Sequence, residues 1–266
     1  MSARSQPDVY FIGGHDLEMR EIARVLAAHH QRVVDHRLSW AQAHAATYNR
    51  EVRAAIAAGL RPVLVELRDI PDDLRPNIDV IDHHGPSSGA MPSSLDQVLA
   101  RLCLTPTRNQ QLISANDRGY IDGMLAIGAS SEDVARIRRA DREAQGITSD
   151  EECAADAAVR HREHPSPSLT IVRLPHGRTA TVTDRLSVGA GGPGYRSLLI
   201  ESPSEISFFG PGAIILTLSD QFGGYCGGML PERGFWGVEV QDAVLKRQIE
   251  LFARDLAEAK AVSIAR

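Results

Sequence analysis

The sequence predicts an α/β protein, with a parallel-sheet domain followed by a smaller α/β domain toward the C-terminus. Short β-type runs alternate with helical patterns through the first half of the chain, and several of these runs end at acidic residues or histidines. A Pro- and Ser-rich stretch then precedes a second, shorter set of apolar runs. Alternation of strands and helices is typical of βαβ units, which build mostly parallel sheets. With 43% hydrophobic content, 266 residues suffice for one large domain or two small ones.

Four strands are predicted in the first half, because four short apolar runs are bounded by glycine or charged residues. They lie at 9–12, 32–35, 63–66 and 80–81. Apolar residues at helical spacing between 19 and 26 predict an amphipathic helix, and 40–58 predicts a second one. A further short apolar stretch, 112–113, is predicted to be a strand that ends before Asp117.

The second half begins with a polar helix predicted over 130–160. Pro and Ser break both helix and sheet, so 164–168 is predicted as a linker and a domain boundary. A hairpin is predicted over 169–183, two glycine-rich stretches follow it, and a final helix is predicted over 240–261. The predicted organisation is a catalytic N-terminal domain at 1–128, a helical connector and linker at 129–168, and a substrate-binding domain at 169–266.

Composition excludes several classes of function. The net charge of −5 argues against general binding of long nucleic acid, since such proteins carry a basic excess that neutralises phosphates. A run of about 18 apolar residues is lacking, so we expect no membrane span, and the polar N-terminus predicts no signal peptide. Three scattered cysteines suit a reducing compartment, so we expect a cytoplasmic protein.

Acidic and imidazole side chains follow the predicted strands, and parallel strands bring their carboxyl ends to one crevice. The residues concerned are His15, Asp16 and Glu18 after the first strand, Glu66 at the end of the third, and Asp82, His83 and His84 at the end of the fourth. Carboxylate oxygens with some imidazole favour Mn²⁺ or a similar ion over metals that prefer thiolates. Two such ions about 3.5–4 Å apart activate water and neutralise charge on a phosphoryl group. The sequence therefore predicts a two-metal site, with helix capping as the alternative role for the acidic residues.

The tetrapeptide Asp-His-His-Gly at 82–85 follows an apolar strand that directs it into this crevice. It comes after an acidic loop, a helix and an acidic strand end, and before a later aspartate. This order resembles the DHH phosphoesterase superfamily, which includes RecJ-type exonucleases, nanoRNA and cyclic-dinucleotide hydrolases, and one class of inorganic pyrophosphatase. The resemblance covers roughly residues 8–125 through four motifs and extends more weakly to the C-terminal glycines. It implies a DHH-type metal-binding domain followed by a DHH-associated-like C-terminal domain.

The resemblance implies a set of ligands for two Mn²⁺ ions, with Mg²⁺ or Co²⁺ as alternatives. By position, the implied metal ligands are His15, Asp16, Glu18, Glu66, His83 and Asp117. His84 matches a histidine that faces the substrate and the catalytic centre. Asp82 would orient the imidazoles and fix their tautomers.

The first motif departs from the family pattern. His15 directly precedes Asp16, whereas the family places several residues between the histidine and the first acid. Glu stands at positions 18 and 66 where the family has Asp, and one extra methylene moves the ligating oxygens outward by roughly an ångström. A turn role for His15, Asp69 in place of the glutamate at 66, and an N-cap role for Asp117 are the alternatives.

Substrate contacts are predicted at two places. The first is a stretch that resembles the glycine-rich substrate loop of the DHH-associated domain, since glycines let backbone N–H groups approach a phosphate. It comprises Gly223, Gly224, Gly227 and Gly228. A tight turn is the alternative role for this stretch. The second place is Arg118, which follows Asp117 and is predicted as a phosphate clamp.

Together these features predict metal-dependent hydrolysis of a small phosphoester or phosphoanhydride by water activated between two ions. The acidic charge balance and the short C-terminal domain favour a short oligonucleotide, a dinucleotide or a nucleotide bisphosphate as substrate. We expect neither long nucleic acid nor a membrane as partner, and a homodimer is left open. The alternative function is a catalytically weak relative that binds a nucleotide or phosphate ligand and acts as a sensor or regulator.

Overall fold

Parallel strands and the helices between them form the first part of the structure, a computed structural model that describes residues 6–83 and 91–264. The chain divides into two compact units, Met1–Gly146 and Ile147–Arg266. Each unit contains its own sheet and its own apolar core. The predicted α/β class is confirmed, with a parallel sheet in the first unit and a mixed sheet in the second.

The sheet of the first unit places the ends of its strands side by side. Its strands are β1 Asp8–Ile12, β2 Arg32–Asp35, β3 Arg61–Val65 and β4 Asp79–Ile81, and its helices are α1 Leu17–Ala28, α2 Asn49–Ala57, α3 Ser94–Arg101, α4 Arg108–Ala126 and α5 Ser131–Ala144. The four strands are parallel, in the order β2-β1-β3-β4. Ile12 pairs with Asp35 and with Val65, and Val65 pairs with Ile81. The strands therefore end together, and the loops that follow them begin along one edge of the sheet.

Residues of β1 alternate between the two faces of this sheet. Val9 and Phe11 are buried in one cluster with Val52 of α2. Tyr10 and Ile12 are also buried and point to the opposite face, the side of α1 and the helices packed against it. β1 carries apolar residues on both faces because it is central in a sheet covered on both sides.

The second unit contains a six-stranded mixed sheet. Its strands are β5 Glu163–Ser166, β6 Leu169–Arg173, β7 Ser197–Glu201, β8 Glu205–Pro211, β9 Tyr225–Met229 and β10 Arg233–Glu239, and its helices are α6 Ser149–Arg160, α7 Ala180–Leu186, α8 Gly212–Phe222 and α9 Ala243–Ile264. The strand order is β5-β6-β7-β8-β10-β9, and β6 and β7 are parallel while the other pairs are antiparallel. Among the helices of the described ranges, none combines the length and the apolar content that crossing a bilayer requires.

Trp236 occupies the centre of one core of the second unit. Its side chain is fully buried with Phe208 and Ile171, and its indole N–H donates to the carbonyl of Gly223 at 2.7 Å. Val172, the next residue along β6, belongs to a separate buried cluster. Successive residues of β6 thus enter cores on opposite faces of the sheet.

The stretch predicted as a linker, 164–168, instead contributes to a strand and the turn after it. β5 pairs antiparallel with β6, and Pro165 is tolerated because β5 is an edge strand, where a missing N–H need not break the ladder. The predicted helix 130–160 is two helices, α5 and α6, with Gly146 at a φ of 78° between them. The compact units accordingly divide after Gly146 rather than at 164–168. The roles predicted for the two domains stay predictions.

The hairpin predicted over 169–183 is wrong in its second arm. β6 forms, but the chain then turns and enters α7. Val182 and Leu186 are buried in one cluster with Val172. Their spacing of four residues places both side chains on one face of α7. β6 pairs instead with β5 and, in parallel, with β7.

Candidate functional site

The loop after β1 passes directly over the end of β3. Gly13 donates its N–H to the carbonyl of Val65 at 2.8 Å, and a Cβ at Gly13 would lie 2.3 Å from the carbonyl oxygen of Glu66. Only glycine permits this close approach of two backbones. Asp16 then caps α1, where its carboxylate accepts a hydrogen bond from the N–H of Met19 at 2.9 Å.

Glu18, His83 and Asp117 form a group that we call the central cluster, since one ligand atom from each lies within 4.8 Å of the others. Glu18 and His83 are buried, and Asp117 is half-buried. His83 Nε2 lies 2.8 Å from Asp117 Oδ2. Glu18 Oε1 accepts a hydrogen bond at 2.8 Å from the N–H of Leu95, in the first turn of α3. The helices α1 and α4 and the loop after β4 therefore each supply one member.

Glu66 reaches the central cluster through His83. His83 Nδ1 lies 3.0 Å from Glu66 Oε1, and the hydroxyl of Ser94 donates to the same oxygen at 2.6 Å. Glu66 is buried and adopts a φ of 51° just beyond β3, a left-handed conformation that is uncommon for residues other than glycine. Backbone strain of this kind is concentrated at functional sites.

Burial and crowding of carboxylates shift the pKa values at this site. Desolvation by burial, reinforced by the charge of Asp117 and opposed by the N-cap hydrogen bond, raises the pKa of Asp16 to about 7. Burial and the charges of Asp117 and Glu66 raise the pKa of Glu18 well above its usual value. Hydrogen bonds to Asp117 and Glu66 raise the pKa of His83 to about 10. His83 is therefore cationic at neutral pH and lies between two carboxylates.

The carboxylate and imidazole ligand atoms of the central cluster fit a divalent cation. Glu18 Oε2 is buried and has no hydrogen-bond partner among the described atoms. The charges of Glu66 and Asp117 act unfavourably on both Asp16 and Glu18, so the site carries mutually repelling carboxyl groups. A divalent cation would offset this repulsion, and ions of the Mn²⁺ type accept carboxylate and imidazole ligands together. Nearby positive charge would also favour the ionised form of each carboxyl group.

The structure brings three of the six predicted metal ligands into the central cluster. Glu66 contacts it through His83, while His15 and Asp16 are half-buried before α1 and lie outside the central cluster. Asp69, the alternative to Glu66, pairs instead with His44 at 2.6 Å. The second metal ion and its ligands stay predictions.

Asp82 and His84 are the other two members of the predicted Asp-His-His motif. Asp82 is half-buried, and its backbone carbonyl accepts a hydrogen bond from the side chain of Gln97 at 3.1 Å. His84, the predicted catalytic histidine, lies outside the described residues. The roles predicted for Asp82 and His84 stay predictions.

Asp117 lies inside a helix rather than after a strand. The apolar stretch 112–113 belongs to α4, whose N-cap is Thr107, so the predicted strand is wrong. Asp117 does not cap α4 either, because it occupies an interior position. Arg118, the predicted phosphate clamp, is exposed on the same helix. Its role stays a prediction.

The glycine-rich stretch 223–228 forms a turn and most of a strand rather than a loop. Gly223 and Gly224 follow α8 with φ values of 69° and 87°, whereas Gly227 and Gly228 lie in β9 and pair with β10. A Cβ at Gly224 would lie 2.3 Å from the carbonyl oxygen of Gly237, so the turn packs directly on β10. Close backbone packing thus accounts for the turn glycine at 224, and substrate binding by this stretch stays a prediction.

A buried charged group behind the central cluster did not follow from the sequence. Arg138 of α5 is 3% exposed and donates to Asn116 at 2.9 Å and to Asp141 at 2.8 Å. Asp141 also accepts a hydrogen bond at 3.3 Å from the N–H of Leu17, the first residue of α1. The sequence does contain one indication that these residues are buried, because Arg138 and Asp141 share one helical face with the apolar Val134.

Comparison with protein-family models and with curated protein sequences gave no match. Among solved structures, the RecJ nuclease of Thermus thermophilus in complex with Mn²⁺ is similar, with a TM-score of 0.52 and 12% identity over 96% of this chain and 53% of that one. Its complex with Mg²⁺ gives a TM-score of 0.50 and 12% identity over 96% of this chain and 50% of that one. This chain thus spans about half the length of Thermus RecJ. A pGpG-specific phosphodiesterase, PggH of Vibrio cholerae, gives a TM-score of 0.43 and 13% identity over 94% of this chain and all of that one.

Similarity at this level of identity concerns the fold. The first unit is a parallel sheet with helices on its faces and acidic residues just beyond its strands, and the second unit is a mixed α/β unit. Both features agree with the architecture that the Asp-His-His-Gly resemblance implied, and the match to Thermus RecJ extends across nearly the whole chain. The fold of this protein is therefore similar to that of Thermus RecJ.

Proposed function

We propose that this protein is a metal-dependent phosphoesterase that hydrolyses a small phosphoester or phosphoanhydride. The observation that carries the proposal is the central cluster, in which Glu18 Oε2 is buried without a hydrogen-bond partner among the described atoms. An ionised carboxylate oxygen in that position is costly unless a cation or a donor compensates it. Thermus RecJ, whose structures contain Mn²⁺ or Mg²⁺, supports the same class of ion.

Glu18, His83 and Asp117 would hold the ion, after His83 has lost its extra proton. When bound, a divalent cation supplies an ionised water at neutral pH and offsets charge on phosphoryl oxygens. The chain fixes its ligands beforehand: the N–H of Leu95 holds Glu18, and the hydroxyl of Ser94 holds Glu66. Ligands fixed in this way need little reorganisation during the reaction.

The finer points of the proposal rest on the sequence. We propose two Mn²⁺ ions per chain, with Asp16, Glu66 and His15 completing the second site, and His84 assisting proton transfer beside Asp82. Arg118 and the glycines of 223–228 are proposed to contact the substrate. A net charge of −5 favours a short oligonucleotide, a dinucleotide or a nucleotide bisphosphate over long nucleic acid. A cytoplasmic location is proposed on the cysteine content.

A substrate panel measured with Mn²⁺ and with EDTA tests the proposal. We expect Mn²⁺-dependent turnover of at least one small phosphoester and its loss in EDTA. Glu18→Gln and Asp117→Asn should each reduce turnover by at least 100-fold and weaken Mn²⁺ binding measured by calorimetry. Asp122→Asn is the matched control, since Asp122 is exposed on the same helix as Asp117. Absence of both Mn²⁺ binding and turnover in the wild type would overturn the proposal.

One observation favours the sensor alternative. His83, with a pKa of about 10, already places a positive charge between Glu66 and Asp117. A relative that had lost its metal could keep the site folded by this imidazolium alone. Mn²⁺ affinity decides between the two functions. The phosphoesterase predicts that the wild type binds Mn²⁺ and that His83→Gln weakens this binding, whereas the sensor alternative predicts no Mn²⁺ binding in the wild type.

A further inference from the structure

Tyr120 combines an exposed ring with a strained backbone, three residues after Asp117. The residue is 63% exposed, and its φ of 50° and ψ of −136° interrupt α4. Glycine adopts this conformation readily, whereas residues with a Cβ rarely do. The neighbouring Gly119 has a φ of −156°, so the chain places the strain on the tyrosine rather than on the glycine beside it. Strain of this kind persists at binding and catalytic sites.

The ring of Tyr120 rests on a fixed cation. The guanidinium carbon of Arg138 lies 5.2 Å from the ring centroid, which is within the range of a cation–π contact. Arg138 is itself held by its hydrogen bonds to Asn116 and Asp141. The ring is therefore supported from one side while most of the side chain is exposed. Proteins that bind single nucleotides or short strands stack bases on aromatic rings presented in this way.

Tyr120 also lies within electrostatic reach of the candidate metal site. Partial desolvation of its hydroxyl and the charges of Asp141, Asp117 and Asp16 raise the pKa of Tyr120, and Arg138 opposes this effect. Asp141, which holds Arg138, also bonds the first N–H of α1, next to Asp16. Asp141 therefore supports the ring of Tyr120 through Arg138, and it also holds the start of α1 beside the predicted metal ligand Asp16.

We infer that Tyr120 stacks on a nucleobase of the substrate and so selects nucleotide phosphoesters for the central cluster. The inference rests on the proposed phosphoesterase function, because it assigns the substrate class of that same site. An exposed ring on strained backbone adds little to the apolar core, so packing alone does not account for it. The ring of Tyr120 would contact the base of the substrate and not the phosphoester bond that is cleaved.

The test compares a linear dinucleotide with its abasic counterpart, which has the same sugar–phosphate diester but no bases. Both substrates are assayed with Mn²⁺. Tyr120→Ala should lower kcat/KM on the dinucleotide about 5- to 150-fold, the range that stacking of one base supplies, and leave the abasic substrate unchanged. Tyr120→Phe keeps the ring and should retain both activities. Leu125→Ala, an exposed position on the same helix, is the control and should also retain both.

Tyr120→Gly separates the ring from the kink, because glycine adopts the same backbone conformation without strain. The inference predicts that this variant loses as much dinucleotide activity as Tyr120→Ala. Wild-type activity in Tyr120→Gly, an equal loss on both substrates in Tyr120→Ala, or a matching loss in Tyr120→Phe would each overturn the stacking role.

Failure of the proposed function gives a different result. If the wild type hydrolyses neither substrate, the phosphoesterase proposal fails, and stacking is judged from binding. Calorimetry then compares adenosine 5′-monophosphate with ribose 5-phosphate, which differ by the base. Stacking is supported if the wild type binds the nucleotide more tightly than ribose 5-phosphate and if Tyr120→Ala abolishes this difference. Equal affinities for the two ligands in the wild type would overturn it.

Discussion

Replacing Asp16 by asparagine separates two effects of one side chain. The carboxylate caps α1 by accepting a hydrogen bond from the N–H of Met19, and it lies partly buried near other acids. Asparagine is as good an N-cap as aspartate, so Asp16→Asn preserves the hydrogen bond. It cannot ionise, so it removes the negative charge from the site. Any change in stability therefore reports the electrostatic cost of the aspartate.

The magnitude follows from the pKa of Asp16, which burial raises from 3.8 to about 7. Between these pH values the metal-free folded protein keeps a proton that the unfolded chain has lost. The contribution of the protonated Asp16 side chain to folding stability is therefore fully present below about pH 3.8. It is lost as the pH rises from there through 7. At about 1.36 kcal/mol for each pH unit, the aspartate costs up to about 4 kcal/mol at pH 8. Asp16→Asn should recover most of that free energy.

Urea denaturation in EDTA, followed from pH 4 to pH 8, measures the effect. We expect Asp16→Asn to match the wild type at pH 4 and to become more stable as the pH rises. Added Mn²⁺ should stabilise the wild type more than the variant, because the cation compensates a charge that only the wild type carries. Asp133→Asn is the control, since a hydrogen bond from Arg136 lowers the pKa of this partly exposed carboxyl group, and it should gain no stability. If Asp16→Asn were no more stable than the wild type at pH 8, the carboxylate would not be buried among like charges.

Two further predictions concern backbone contacts and are checked by urea denaturation. Gly224→Ala should destabilise the protein more than Gly223→Ala. Both positions have positive φ, but only at Gly224 would a Cβ meet the carbonyl oxygen of Gly237, at 2.3 Å. Equal losses of stability in the two variants would contradict this packing. Tyr48→Phe should lower the free energy of unfolding by about 1–3 kcal/mol, because the buried hydroxyl donates to the carbonyl of Ile12 at 2.7 Å. A phenylalanine variant as stable as the wild type would show that water replaces this donor.

Strands of the first unit were predictable because each is short, apolar and bounded by polar residues. The predicted strand 32–35 coincides with β2, and 80–81 lies within β4. The convergence of Glu66 and His83 also followed from the sequence, since parallel strands place their carboxyl ends at one edge. The order of the strands did not follow, because local patterns carry no information on which strands pair.

Other features depend on contacts between distant residues. Leu112 and Ile113 are too few to distinguish strand from helix, and only the packing of α4 places Asp117 against His83. Pro165 indicated a linker, but a sheet edge accepts proline as readily as a loop does. The conformation of Tyr120 was not predictable from its neighbours, because the ring contacts Arg138, which is 18 residues away in the sequence.

The shared end of β1, β3 and β4 divides the first unit into a part that must keep its length and a part that is free to vary. Inserting one residue into β3 would turn its side chains to the wrong faces and displace Glu66 by about 3.3 Å from His83. The same insertion in the loop between β3 and β4 would leave both strands in register. Insertions in such loops therefore leave the sheet intact, whereas the length of each strand determines where the acidic residues beyond it lie.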